Sequence, residues 1–240
     1  MDIGGSGIKA AVVDVSRGSL VSDRIRRETP RPARPGPMAE VVAELVRELG
    51  WKRGPIGCGF PGVVRSGVVR TAPNLSRRWA DVDAARLLSG PCGARVTVIN
   101  DADAAGMAEV RFGAGSGCGG VVLVLTVGTG IGSALFLDGR LVPNTEFGHL
   151  EVDGEKAEHR ASDRVRTEKD QSWKKWAAEL ERVLLHLEAI LHPERIVLGG
   201  GVSKRHEKFL PRIEVAAELV PAELGNDAGI VGAALAGAGK

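Results

Sequence analysis

The stretch GSGIKAAVV, residues 5–13, returns in character as GTGIGSALF, residues 128–136. Each copy reads glycine, hydroxyl residue, glycine, isoleucine, two variable positions and then an apolar strand. Each runs on into a hairpin signal: SRGS at residues 16–19 and Asp138-Gly139. A repeat half a chain apart predicts two related α/β lobes facing one another across a cleft. Residues 1–100 would form a small lobe, joined by a C-terminal helix at about 226–240, and residues 101–225 a large lobe.

The rest of the chain fits that frame. Residues 38–49 place Met38, Val41, Val42, Leu45, Val46 and Leu49 on one helical face, with Gly50 as the stop. IGCGFPGVV, RVTVIN, VVLVLT and RIVLGGG read as buried strands, three of them feeding a loop or a helix start. Residues 172–191 carry a stripe of Trp173, Trp176, Ala177, Leu180, Val183, Leu184, Leu187, Ile190 and Leu191. AGIVGAALAG reads as a small-residue terminal helix. Ahead of Gly4-Gly5 there is little strand to draw on, so either the first strand is unusually short or the chain starts late.

Composition narrows the function classes. With 43% hydrophobic and 26% charged residues over 240 positions, the chain is of ordinary globular type. A net charge of +2 gives no general pull toward DNA or RNA. No apolar run approaches a membrane span and no signal peptide opens the chain. Cys58, Cys92 and Cys118 are odd in number and far apart, which fits a reducing, cytoplasmic setting.

The glycine loops suit a phosphate chain. Gly4, Gly5, Ser6 and Gly7, and likewise Gly128, Thr129 and Gly130, let the backbone approach a ligand and aim N–H groups at an anion. Neither is a P-loop or a dinucleotide fingerprint. Asp2, just ahead of the first loop, could hold Mg²⁺ against the phosphates, or cap the turn. Lys9 could meet a phosphate or be solvated. Asn100 and Asp101 fall where a strand ends and a helix begins, a usual place for ligands. The helix terminus favours an ionised carboxylate there, which suits a general base. Asp101 could instead be the N-cap, as could Asp103.

A second polar stretch, NTEFGHLEVDGEKAEHRAS at residues 144–162, is dense in Glu and His. It could be a metal site, an acid–base cluster or a clamp for a small polar substrate. Without cysteines in it, the polar clamp is the preferred reading, and a zinc site the least favoured.

Together DIGGSGIK, FPGVV, TAPNL, NDADAAG, LTVGTGIGSA, PNTEFGHLEV and LGGGVS resemble the ROK sugar kinases, with the nearest likeness to the branch that uses polyphosphate. The resemblance runs from Asp2 to about Gly237. It implies an actin-like, ribonuclease-H-like α/β fold of two lobes. It implies phosphorylation of glucose at the 6-hydroxyl, from polyphosphate or ATP or both, with Mg²⁺. Asp101 would be the base. Gly62, Asn74, Asn100, Asp101, Glu146, His149 and Glu158 would bind the sugar. Asp2, Gly4, Gly5, Ser6, Gly7, Lys9, Thr126, Gly128, Thr129, Gly130, Gly199, Gly200 and Gly201 would serve the phosphate donor, with Asp2 as the metal ligand. Many relatives carry a cysteine-rich structural zinc site after Gly-His; its cysteines are missing here, so no structural zinc is expected.

The resemblance further implies a homodimer that acts on glucose in the cytoplasm, with no nucleic-acid or membrane partner. Nothing but Met1 precedes Asp2, which argues against a DNA-binding repressor. An ATP-only glucokinase, a glucomannokinase and a non-catalytic sugar sensor are the alternatives. Three basic runs could guide polyphosphate or be solvated faces: Arg24, Arg26, Arg27, Arg31 and Arg34; Arg164, Arg166, Lys169, Lys174 and Lys175; and Lys204, Arg205 and Lys208.

Overall fold

A computed structural model describes residues 1–239. The chain forms two compact units, one of residues 1–108 with the C-terminal stretch from Asp227, the other of residues 109–226. The division falls within a helix, after Ala108, and not at that helix's start.

The first unit is built on a five-stranded sheet. Its strands are β1 (Asp2–Ile3), β2 (Gly7–Ala10), β3 (Ile25–Glu28), β4 (Ile56–Phe60) and β5 (Val96–Asn100), in the order β3-β2-β1-β4-β5. The β1–β2 and β2–β3 pairs are antiparallel; β1–β4 and β4–β5 are parallel. β4 is buried at all five positions, as its unbroken apolar and glycine run requires. The first strand is short, two residues long.

Helix α1 (Pro35–Glu48) starts three residues before the periodic stripe, because Pro35 and Pro37 suit a first turn whose N–H groups have no partners. It buries Met38, Val42, Leu45 and Val46, and beyond its C-cap Leu49 the chain turns away at Gly50, whose φ is +63°. Helix α2 (Ala84–Cys92) is capped by Asp83, which accepts from Arg86 N at 2.9 Å. Helix α3 (Asp101–Phe112) follows β5 without an intervening loop. The C-terminal helix, Ala228–Gly237, is buried on nearly every face. It lies so close to β4 and α3 that a Cβ at Gly57 would stand 1.6 Å from Ala233 O, and one at Gly232 1.6 Å from Ala104 O. Small residues run through this helix because backbone meets backbone there.

The second unit repeats the plan. Its strands are β6 (Val121–Val127), β7 (Ile131–Leu137), β8 (Arg140–Val142), β9 (Arg195–Gly199) and β10 (Glu218–Pro221), ordered β8-β7-β6-β9-β10. Again the first two pairings are antiparallel and the last two parallel. GSGIKAAVV and GTGIGSALF occupy equivalent places, each the turn and second strand of its sheet. Asp2 pairs with Lys9 and Gly59; at the matching position, Thr126 pairs with Gly132 and Gly199. The turn between paired residues Ile3 and Ile8 is one residue longer than that between Val127 and Ile131.

Short helices α4 (Ala157–Ala161) and α5 (Asp163–Glu168) precede α6 (Trp173–Leu191), which Ser172 caps. α6 buries Trp176, Ala177, Leu180, Val183, Leu184 and Leu187 against this unit's core. Ile190, on the same stripe, is 58% exposed: periodicity marks a face, while the length of the neighbours decides how much of it is covered. Trp176 and Phe209 meet edge to face at 5.0 Å. Among the described residues no helix is long and apolar enough to cross a membrane.

Candidate functional site

In the first unit the expected residues gather at the carboxyl ends of β1, β4 and β5. The loop at residues 4–7 closes on itself, Gly4 N donating to Gly7 O at 3.0 Å. Thr29 Oγ1 donates to Gly4 O at 2.5 Å and Arg26 Nη2 to Ser6 O at 2.9 Å. Gly5 faces the backbone of Asn74, whose O would be 3.2 Å from a Cβ at Gly5. Asn74 itself is exposed beside the loop. Of Arg26 and Thr29, Thr29 was not expected here at all, and Arg26 was expected only as one of five arginines in a basic run. Nothing local marks them, since the contacts come from the β2–β3 pairing.

Asn100 is 5% exposed and uses both ends of its amide. Nδ2 donates to Gly62 O at 3.2 Å, and Oδ1 accepts from Asp103 N at 3.0 Å. The capping bond of α3 is therefore made by Asn100, and not by Asp101 or Asp103, the two residues the sequence suggested for it. Asp101 follows at the first turn of α3 and accepts from Ala102 N at 2.9 Å. Gly62 is held in place by more than Asn100: a Cβ there would lie 2.0 Å from Thr71 O. β4 and β5 thus lock together at the end where Asp101 emerges.

Lys9 Nζ donates to Asp2 Oδ2 at 3.2 Å, so the lysine, 35% exposed, pairs with the acid beside the loop. Among the described residues no group of three or more His, Cys, Asp or Glu is arranged to hold a metal. Asp2 offers one carboxylate, 24% exposed. That fits Mg²⁺, which is commonly held by one or two carboxylates with waters and phosphate oxygens completing its shell.

In the second unit the loop at residues 128–130 is pinned by Gly128 N to Gly130 O at 3.0 Å and by Arg164 N to Gly128 O at 3.2 Å. Gly200, with φ +82°, packs on the end of β6, where a Cβ would stand 2.4 Å from Val127 O. The glycine run at 199–201 therefore sits beside the 128–130 loop. Gly201 has open space around it.

The segment carrying Glu146 and His149 is fastened to β7 by a pair of hydroxyls. Ser133 Oγ donates to Thr145 O at 2.8 Å and accepts from Phe147 N at 3.0 Å; Thr145 Oγ1 donates back to Ser133 O at 3.0 Å. Gly148 packs on Ile131, leaving no room for a side chain: Ile131 O would be 2.1 Å from a Cβ. Ser133 was legible only as a lone hydroxyl in an apolar strand. Glu146 is half-buried, and that burial raises its carboxyl above the ordinary range; nearby Glu158 adds to the rise and His149 opposes it. His149 Nε2 stands 3.5 Å from Glu158 Oε1, and His159 Nε2 3.8 Å from the same oxygen. Glu146, His149 and Glu158 thus form one polar cluster. Such a cluster of acceptors with a switchable imidazole can grip several hydroxyls of a polyol.

Asn74, Gly62, Asn100 and Asp101 lie on the first unit; Glu146, His149 and Glu158 lie on the second.

The family model described as ROK family matches residues 1–164. The chain is 49% identical over 237 residues to a polyphosphate glucokinase of Mycobacterium tuberculosis, covering 98% of this chain and 89% of that protein. The structure is similar to that of an inorganic polyphosphate/ATP-glucomannokinase from Arthrobacter sp. strain KM. The TM-score is 0.93 at 48% identity, over 99% of this chain and 96% of that one. It is also similar to a ROK family glucokinase from Streptomyces griseus in complex with glucose and AMPPNP. That TM-score is 0.84 at 26% identity, over 100% and 98% of the two chains.

Proposed function

The chain belongs to the ROK family, and from that premise we infer that it phosphorylates glucose, with inorganic polyphosphate or ATP as donor. The observation that carries this reading is 49% identity to a polyphosphate glucokinase over 98% of the chain. Two glycine loops at equivalent places in two like sheets agree with a donor made of phosphates.

In the proposed mechanism Asp101 accepts the proton of the sugar 6-hydroxyl as that oxygen attacks the terminal phosphoryl group; the bond from that phosphorus to its bridging oxygen breaks, and ADP or a polyphosphate one unit shorter leaves. Its place in the first turn of α3 favours the carboxylate form. Asn100, bonded to Gly62 O and Asp103 N, fixes the start of that helix and so the direction of the Asp101 side chain, and its second amide N–H can still serve a sugar hydroxyl. Glu146, His149 and Glu158 bind sugar hydroxyls together with Asn74 and Asn100, and Gly62 lies against the sugar. The N–H groups of the loops at 4–7 and 128–130, with Thr126 and the 199–201 run, hold the donor. Asp2 would hold Mg²⁺, which supplies charge neutralisation on the phosphates when bound. Positioning and charge stabilisation then provide most of the acceleration. The enzyme would work as a cytoplasmic homodimer.

Mannose is a second sugar to test, because the Arthrobacter relative at 48% identity is a glucomannokinase. One assay tests both points: glucose and mannose, each offered with ATP and with polyphosphate, with the sugar phosphate identified. Transfer to glucose from either donor supports the reading; transfer to neither sugar contradicts it.

A further inference from the structure

Arg26 stands directly across from Lys9 in the β2–β3 ladder, on a strand at the edge of its sheet. Like charges directly opposite one another destabilise a sheet. The two side chains part: Lys9 turns to Asp2, and Arg26 Nη2 donates to Ser6 O at 2.9 Å. The Arg26 guanidinium then covers the glycine loop closely. A Cβ at Gly7 would lie 2.6 Å from its Nε and 2.7 Å from its Nη2.

The neighbours of Arg26 are committed elsewhere. Arg24 pairs with Asp227 at 2.7 Å, and Arg27 with Glu48. Among the described residues Arg26 has no carboxylate partner, although Glu28 lies two residues along on the same face of β3. A guanidinium carries five N–H donors in a rigid fork. One is used on the loop, and the exposed remainder is cationic, beside a loop whose glycines suit a phosphate chain.

We propose that Arg26 is a donor-binding residue: it contacts the phosphoryl chain lying on the 4–7 loop, for either a polyphosphate or a nucleoside triphosphate. The proposal rests on the reading above that this loop serves the donor. The planar fork suits phosphate oxygens, which it can take in pairs. Its bond to Ser6 O fixes the fork in advance, so little side-chain freedom is lost on binding. Of Arg24, Arg26 and Arg27, Arg26 is the one that reaches the glycine loop.

The alternative is a prop that only holds Ser6 in place, and the two separate experimentally. Inorganic tripolyphosphate is titrated calorimetrically into the full chain without glucose, and KM values are measured for both donors and for glucose. Arg26→Ala should weaken tripolyphosphate binding about tenfold and raise donor KM about tenfold, with glucose KM unchanged. Gly7→Ala should give the same pattern at little cost in stability, because only the flexible end of Arg26 must move. Arg27→Ala removes an equal charge on the other face of β3 and should leave all these values unchanged. Arg26→Lys should recover part of the affinity. Unaltered tripolyphosphate binding in Arg26→Ala, or equal losses in Arg27→Ala, would overturn the proposal. If the unaltered chain transferred no phosphoryl group, the functional reading would fall, while the titration would still decide the role of Arg26.

Discussion

Glu158 holds one carboxylate oxygen against Gly130, 2.7 Å from where a Cβ would stand, and the other toward His149 at 3.5 Å. One side chain therefore borders both the second glycine loop and the acid–histidine cluster. Gly130→Ala should displace that carboxylate and raise KM for glucose and for the donor together, each about tenfold, with a melting temperature close to the original. Steady-state kinetics on both substrates checks this. A change confined to the donor would mean that Glu158 takes no part in holding the sugar.

Asp101→Asn should fold, bind glucose and lose about 10²–10⁴-fold in kcat, the usual scale for a missing general base. The amide keeps the shape of the side chain and its place at the start of α3. Glucose affinity by calorimetry and kcat by coupled assay separate the two effects.

The raised carboxyl of Glu146 sets a pH dependence with a definite sign. Burial disfavours its charged form, so its contribution to stability is present at acid pH and is lost as pH rises through its folded value. Binding runs the other way, because the ionised form is the better acceptor for a hydroxyl. Glucose KM should rise as pH falls, beginning above the ordinary carboxylate range. Glu146→Gln should flatten that rise and gain stability relative to the original chain at neutral pH. Parallel pH profiles for the two proteins would contradict this.

Close backbone packing predicts a contrast between glycines. At Gly232 a methyl group would meet the carbonyl of Ala104 at 1.6 Å, and neither backbone can yield without moving a helix. Gly232→Ala should cost about 1–3 kcal/mol or more. Gly201→Ala meets nothing within 4 Å and should change stability by no more than about 0.5 kcal/mol. Urea midpoints measure both.

The repeat at residues 5–13 and 128–136 was legible because glycine turns and apolar strands are local features. So were α1 and α6, whose stripes follow the helical period, and the Asp138-Gly139 turn, where both residues adopt positive φ. Helix capping was less so. Asp101 and Asp103 were the expected acceptors, but the bond goes to Asn100, whose other amide end engages Gly62, 38 positions away. The same holds for Gly5 against Asn74 and for Arg26 over Gly7. Sequence showed Arg26 as one of five arginines in a run. Only strand pairing showed that it meets a loop while Arg24 and Arg27 meet acids. Short-range pattern marks where chain segments turn; long-range pairing decides which polar groups are spent and on what.

Phosphoryl transfer to glucose is followed most directly by phosphorus NMR. Purified protein, glucose and Mg²⁺ are incubated with inorganic polyphosphate in one tube and with ATP in another. The glucose 6-phosphate resonance should grow in at least one tube and be lost on Asp101→Asn. A folded, glucose-binding protein that produces no sugar phosphate from either donor would contradict the proposed transfer.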